Sequence, residues 1–155
     1  MLFFNKAKFL PYSSKNLYQL VLDIESYPQF IPYCSAVEII KKNSKFIIAD
    51  LTIKFKLFSD RYRSLVMLQS NNKNYSIIVK SIGEGPILHL SNIWKFQFQE
   101  QQNTLVTLDL KLTLKSIILE KFIKLVADDI AYKTMIAFEN RAKQTYGKTT
   151  TFKNF

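Results

Sequence analysis

The sequence predicts an α+β fold in which a curved antiparallel sheet wraps around one long C-terminal helix. Two periodicities carry this prediction. Apolar and polar residues alternate as in strands with one buried face, in residues 47–57, 61–68, 94–98 and 104–114, while residues 75–82 are strand-like without a clear inner face. Residues 116–147 carry apolar side chains at helical spacing. The sheet is the only large apolar partner available to that helix.

The N-terminal part predicts a strand followed by two short helices. Residues 3–10 are strand-like, and Ser13 or Ser14 can cap a helix that begins next. One face of that helix is apolar at helical spacing: Leu17, Leu20, Val21 and Ile24. Pro28 disfavours a helical conformation at the residue before it, so we expect the helix to end near Ser26. A second helical turn is expected from Pro28 to Ile31.

The long helix has a start and a stop signal. Ser116 is a suitable cap and Gly147 a suitable C-terminal stop, which allows roughly 45 Å of helix. One broad face of this helix is apolar: Leu119, Phe122, Ile123, Val126, Ile130, Thr134, Ala137, Phe138 and Ala142. We therefore predict a single domain over residues 1–147 and a loose tail over residues 148–155.

The chain is strongly basic, with a formal net charge of +10. Such a charge suits nucleic acid, the ribosome or an anionic membrane surface. A basic outer face of the sheet is predicted from four residues: Lys54, Lys56, Arg61 and Arg63. Because Tyr62 turns to the opposite face of its strand, this pattern is not a base-stacking platform, and we predict no sequence-specific nucleic-acid binding.

The catalytic inventory is small. One histidine, His89, and one cysteine, Cys34, cannot supply the three or four ligands of a zinc site. A Cys34–His89 nucleophile pair is conceivable, but a buried structural cysteine is favoured. Asp23 and Glu25 could serve acid–base chemistry, although exposed charges at a helix end are the simpler interpretation. We predict a cytoplasmic protein that is not an enzyme and requires no cofactor.

Aromatic and aliphatic side chains on the inner faces form the candidate ligand-binding set. From periodicity alone they are either an ordinary filled core or the lining of an apolar cavity. Tyr27, Tyr33, Tyr62 and Ser64 could donate a hydrogen bond to a ligand. The complete set is Tyr27, Phe30, Ile31, Tyr33, Ile53, Phe55, Tyr62, Val66, Trp94, Phe96, Phe122, Val126 and Ile130.

Three stretches resemble a known family. They are PYSSKNLYQLVLDIESYPQFIPYC at residues 11–34, EGPILHLSNIWKF at residues 84–96, and the long helix with its late Phe138, Arg141, Ala142 and Tyr146. The chain resembles the coenzyme Q-binding START-domain family of the polyketide cyclase/START-like helix-grip superfamily. Some bacterial members of that family are named ribosome association toxins. Tyr33 stands where tryptophan is commoner, and Ile87 where phenylalanine is commoner.

The resemblance implies a cavity between the sheet and the long helix that holds ubiquinone or a related isoprenoid quinone. The protein would then be a quinone chaperone that supports respiratory electron transport and touches the inner membrane transiently as a peripheral protein. The name of the bacterial members implies a different role, in which the protein binds the large ribosomal subunit and blocks subunit association.

Overall fold

Seven antiparallel strands form one sheet in the computed structural model, which describes residues 1–100 and 102–147. The strands are β1 (Leu2–Leu10), β2 (Cys34–Lys42), β3 (Phe46–Phe55), β4 (Phe58–Asn71), β5 (Asn74–Ile82), β6 (Ile87–Glu100) and β7 (Asn103–Leu114). Their order in the sheet is β1-β7-β6-β5-β4-β3-β2. With the helices α1 (Ser14–Leu22), α2 (Tyr27–Phe30) and α3 (Ile117–Tyr146), this confirms the predicted α+β class.

Helix α1 begins as predicted and ends earlier. The hydroxyl of Ser13 accepts a hydrogen bond from the backbone N–H of Asn16 at 3.1 Å, which caps the first turn. The helix ends at Leu22 rather than near Ser26, because Asp23 leaves the helical conformation with a ψ of 64°. A short 3-10 turn, Ile24–Ser26, connects it to α2, where Pro28 occupies the first turn as expected.

The strands differ from the prediction in β2, at the end of β3 and at the start of β6, which begins at Ile87 and not near Trp94. Strand β2 was not predicted, and its pairing with β3 shifts register twice, between Cys34 and Ala36 and between Ile39 and Lys41. Strand β3 ends at Phe55, where Lys56 adopts a φ of 54° and starts a two-residue turn. The inner-face position expected for Leu57 is therefore wrong, and its side chain is fully exposed.

Helix α3 has the predicted bounds. The hydroxyl of Ser116 accepts a hydrogen bond from the N–H of Leu119 at 3.0 Å. Gly147, with a φ of 81°, ends the helix by donating its N–H to the carbonyl of Lys143 at 3.0 Å. The helix has 30 residues and is therefore roughly 45 Å long.

The core lies between α1, the sheet and the C-terminal half of α3. The ring of Phe138 lies 5.6 Å from that of Tyr27, 5.4 Å from that of Phe30 and 5.3 Å from that of Trp94, between centroids. The hydroxyl of Tyr146 donates to the carbonyl of Asn16 at 2.8 Å. These contacts fix the C-terminal half of α3 on the sheet and on α1 and α2. The predicted tail, residues 148–155, lies outside the described residues.

None of the helices in the described part of the chain is both long and apolar enough to cross a bilayer.

Candidate ligand-binding site

Two adjoining cavities lie between the sheet and α3. The first has a volume of about 300 Å³ and the second about 240 Å³. They share six wall residues: Ile53, Tyr62, Leu110, Leu112, Ile123 and Ile130. The volume of the first cavity is at the lower end of the range that small-molecule sites have. The residues on the inner face of the sheet therefore line a cavity in addition to packing a core.

Helix α3 forms the roof of both cavities. Its lining residues recur at helical spacing and extend over roughly 28 Å of helix: Leu119, Ile123, Ala127, Ile130, Ala131, Thr134 and Phe138. Ala127 and Ala131 are small, and they stand where larger side chains would occupy the space below the helix. The middle of the roof therefore carries small side chains, and its C-terminal end carries the aromatic ring of Phe138.

Alternate residues of the strands form the floor, because successive side chains of a strand point to opposite faces. The inner residues of β6 illustrate this: Leu90 lines the second cavity, Asn92 and Trp94 line the first, and Phe96 belongs to the closed core. On β4, Tyr62, Ser64 and Val66 line the first cavity in the same way. The cavity therefore runs across several strands of the curved sheet.

The wall of the first cavity carries no charge. No Asp, Glu, Lys, Arg or His is among its described lining residues. Burial raises the pKa of Tyr27 far above its ordinary value, that of Tyr62 to about 12, and that of Cys34 to about 11. All three groups are thus neutral near pH 7, and the interior is uncharged.

The polar atoms of this wall fall into two groups. The hydroxyl of Tyr27 donates to the carbonyl of Val21, and that of Thr134 donates to the carbonyl of Ile130 at 2.8 Å. Asn92 is different, because its Oδ1 is buried and has no hydrogen-bond partner among the described residues. Tyr62 and Ser64 add two hydroxyl groups to the same wall.

The predicted site residues divide between the cavities and the surrounding core. Those that line the first cavity are Tyr27, Ile31, Ile53, Tyr62, Val66, Trp94 and Ile130. Tyr33 and Phe55 line the second cavity, with their ring centroids 5.1 Å apart. The sequence missed Asn92, because residues 87–93 gave no strand signal, and it also missed the cavity-facing alanines of α3.

Four predicted residues line neither cavity: Phe30, Phe96, Phe122 and Val126. Phe96 is fully buried in the core beside Trp94, and Phe30 packs between Phe138 and the guanidinium of Arg141. Phe122 is partly exposed on the flank of α3, with its ring 5.8 Å from that of Phe55. The roof of the cavity is therefore rotated away from the face that the sequence indicated.

Two of the four residues in the predicted basic face form salt bridges with neighbouring carboxylates. Arg63 makes a bidentate salt bridge with Asp50 at 2.7 and 3.0 Å, and Arg61 contacts Asp50 at 2.8 Å and Glu38 at 3.0 Å. The hydrogen bonds from Arg63, followed by those from Arg61, lower the pKa of Asp50 to about 2. Both arginines are therefore engaged in ion pairs, and only Lys54 and Lys56 of the predicted set remain outside them.

The candidate catalytic residues do not converge. Asp23 accepts a hydrogen bond from the hydroxyl of Ser26 at 2.6 Å, and neither Asp23 nor Glu25 lines a cavity. Cys34 is buried in the first cavity, whereas His89 is exposed and lines neither. Within residues 1–100 and 102–147, no cluster of three His, Cys, Asp or Glu side chains could hold a metal ion.

Exposed apolar side chains surround the second cavity. We call this surface the apolar rim and define it as Leu57, Leu88, Ile117 and Ile118. Three of its members adjoin lining residues in the chain: Leu57 lies beside Phe58, Leu88 beside Ile87, and Ile118 beside Leu119. Five lysines accompany the rim, and no described carboxylate lies within 4 Å of their amino groups: Lys54, Lys56, Lys115, Lys121 and Lys124.

A sheet that grips a long helix above an apolar cavity defines a START-like, helix-grip domain. The chain belongs to the family described as polyketide cyclase / dehydrase and lipid transport, whose model matches residues 10–139. The resemblance drawn from the sequence is thereby confirmed at the level of the family and the fold.

Two relatives and two solved structures illustrate the range of the family. Ribosome association toxin RatA of Rickettsia prowazekii is 35% identical over 93% of this chain and 98% of its own. Coenzyme Q-binding protein COQ10 homolog B, mitochondrial, of Xenopus laevis is 23% identical over 94% of this chain and 59% of its own.

The two structures are the Zhui aromatase/cyclase of Streptomyces sp. R1128 and a START superfamily protein of Mycobacterium smegmatis. The first has a TM-score of 0.81 at 12% identity and covers 94% of this chain and 95% of its own. The second has a TM-score of 0.75 at 18% identity and covers 92% and 97%. These two likenesses concern the fold alone.

Proposed function

We propose that this protein is a non-enzymatic carrier of a hydrophobic ligand, an isoprenoid quinone such as ubiquinone, and that it supports respiratory electron transport. The observation that carries the proposal is the uncharged apolar cavity beneath α3. Each CH₂ group that leaves water for such a cavity contributes about 0.8 kcal/mol, so a prenyl tail needs no polar anchor. The name of the coenzyme Q-binding relative supports the choice of a quinone.

The side chains of the cavities favour a non-enzymatic role, whereas the fold does not decide, since aromatase/cyclases share it. General acid–base chemistry needs a titratable group within hydrogen-bond reach of the substrate. Among the described residues, the first cavity offers only neutral tyrosines and a neutral thiol, whose pKa values are raised by burial. Among the described residues that line the second cavity, the one carboxylate is Asp60. One carboxylate without a partner acid or base is poorly equipped for a cyclisation.

The apolar rim supports ligand exchange at a membrane surface. Quinones reside in the bilayer, so a carrier must contact lipid to load and release its ligand. The rim offers apolar side chains for the interface, and the accompanying lysines suit anionic head groups. We therefore propose that the protein contacts the inner membrane transiently through this end.

The test is lipid extraction and mass spectrometry of the protein purified from its own host. We expect an isoprenoid quinone with the wild type and a strongly reduced amount with Ala127→Phe, because the larger ring fills the cavity below α3. The matched control is Leu125→Phe, on the exposed side of the same helix, which should retain the lipid. If wild-type preparations contain no isoprenoid, even after quinone is added, the carrier function is wrong.

A second candidate function is binding to the large ribosomal subunit with a block of subunit association. It is favoured by the RatA relative, which aligns with nearly the whole chain, and by the net charge of +10. The five lysines near the rim could contact ribosomal phosphates. This function makes no use of the cavity.

Sedimentation of the protein with purified large subunits through a sucrose gradient tests this second function. It requires co-migration that weakens as salt rises, because lysine–phosphate contacts release counterions. Ala127→Phe should leave such co-migration unchanged. Growth of a strain carrying Ala127→Phe on a respiratory substrate separates the two functions, since only the carrier function predicts a respiratory defect.

A further inference from the structure

Asn92 is a half-buried side chain with one buried polar atom that the fold itself does not use. Its Oδ1 is the one buried side-chain nitrogen or oxygen atom in the described residues that has no hydrogen-bond partner. Buried polar groups in native proteins are nearly always paired, and an unpaired one usually has a functional reason. The residue lines the first cavity, so the group that could satisfy it would come from a ligand.

The wall of the first cavity carries two further polar side chains, on a strand that is second neighbour to the strand of Asn92. Asn92 on β6 is paired with Val79 on β5, and Val79 with Val66 on β4. Ser64 precedes Val66 by one inner position, and Tyr62 by two, so their side chains face the same cavity as Asn92. The side chains around them are apolar, among them Leu110, Leu112 and Ile123. These three polar side chains thus interrupt an otherwise apolar wall.

We propose that Asn92, together with Tyr62 and Ser64, is the site that recognises the head of the ligand, and that this head is uncharged and carries a carbonyl or hydroxyl oxygen. This inference rests on the proposed carrier function and adds the ligand's chemical class and orientation. The head enters first and lies at mid-depth beneath α3, while the apolar tail runs toward the second cavity and the rim.

The absence of charged side chains in the wall argues against a ligand with a charged head group. A phosphate or carboxylate in this cavity would lose its hydration without gaining a cation, because no Lys, Arg or His lines the first cavity among the described residues. A quinone carbonyl can accept from the Asn92 amide, and a quinol hydroxyl can donate to it, since an amide carries both functions. One side chain therefore suits both the oxidised and the reduced head.

The test compares three probes that share a ten-carbon tail: a decyl-substituted benzoquinone, decylbenzene and decanoate. Each competes with the fluorescent hydrocarbon diphenylhexatriene for the purified full-length protein. For the wild type we expect the quinone to bind roughly tenfold more tightly than decylbenzene, since a satisfied buried amide and one hydrogen bond separate them. Decanoate should bind most weakly.

The deciding variant is Asn92→Leu, which keeps the side-chain size and removes the amide. We expect the preference for the quinone over decylbenzene to fall to about one. The matched control is Val79→Ala, the apolar cross-strand neighbour in the same wall, which should preserve the preference while changing both affinities alike. An unchanged preference in Asn92→Leu overturns the proposal and leaves the carrier function standing. If no probe displaces the dye from the wild type, the carrier function itself fails, and this proposal with it.

A thermal melt of the ligand-free protein provides an independent readout. Removing an unpaired buried polar group should raise the melting temperature of Asn92→Leu above that of the wild type. A fall in melting temperature would mean that Asn92 is a structural residue, and would contradict its assignment to the ligand.

Discussion

Asp50 is a carboxylate on the outer face of the sheet that is nearly removed from water. Its side chain is only 6% exposed, and two guanidinium groups hold it. The arginines are themselves about half exposed, so water still screens part of the attraction. The cluster contributes to stability through a pKa that differs between the folded and unfolded states.

The pH dependence follows from the direction of that shift. Because the folded-state pKa of Asp50 is lowered to about 2, its contribution is complete above about pH 4 and is lost as the pH falls toward 2. Asp50→Asn should therefore lower the free energy of unfolding at pH 7 by about 1–2 kcal/mol and flatten the acid limb of the stability curve.

Urea denaturation between pH 2 and pH 7 measures this effect. Glu38→Gln is the control, because Glu38 is largely exposed and contacts only Arg61 of the pair. That variant should change stability by well under about 1 kcal/mol. Equal effects of the two variants would contradict the special position of Asp50.

At the scale of single residues, the sequence predicted well which side chains face the interior. It predicted less well whether such a side chain packs in the core or lines a cavity. Tyr62 and Trp94 follow from alternation. Asn92 does not, because the segment before Trp94 lacks a clear apolar period and looks like a loop. Whether an inward side chain meets a neighbour or a cavity depends on the curvature of the whole sheet, which local patterns do not contain.

Among the elements, α3 is held unequally along its length. The C-terminal half is fixed by the rings of Phe138 and Tyr146, whereas the N-terminal half lies over the two cavities and is held mainly through the polar contacts of Glu120. The buried aromatic contacts of this helix are therefore concentrated near its C-terminal end.

Phe138→Ala should lower the free energy of unfolding by about 3–5 kcal/mol, since it removes a buried ring that touches three other rings. Leu125→Ala, on the same helix with a side chain that is 84% exposed, should have almost no effect. Chemical denaturation followed by circular dichroism compares the two. A small loss in Phe138→Ala would show that the aromatic cluster does not fix the helix.

The elements that the sequence missed share a physical cause. Strand β2 carries two register shifts, and each shift interrupts the alternation on which strand prediction depends. The turn after Phe55 is made by Lys56 and Leu57, which lack the glycine or asparagine that usually marks such a turn. The capped helix α3, with its long regular period, was predicted to the residue.

For the molecule as a whole, the apolar rim, the second cavity and the unpaired lysines lie at one end. We expect the protein to sediment with vesicles of phosphatidylcholine and phosphatidylglycerol more than with phosphatidylcholine alone, and less as salt rises. Leu57→Asp should reduce vesicle binding severalfold, because the exposed turn would then carry a charge into the interface.

Ile40→Asp is the matched control for this prediction. Ile40 is also an exposed apolar residue, but it lies on the edge strand β2 and outside the rim. Its replacement should leave vesicle binding unchanged. If both substitutions weaken binding equally, the contact is not confined to the rim.

Because its aromatic contacts lie near Phe138, helix α3 could tilt about that residue as a rigid body. A tilt of about 10° at that pivot would displace the first turn, roughly 28 Å away, by about 5 Å, the width of an extended alkyl chain. Such a movement must release Glu120, which accepts from the N–H of Leu114 and from the N-terminal ammonium of Met1, both at 2.9 Å. We expect amide hydrogens of residues 117–130 to exchange faster than those of residues 134–146, and bound ligand to slow the first group selectively. An opening beneath the N-terminal end of α3 would let an apolar ligand leave while the rest of the protein stays folded.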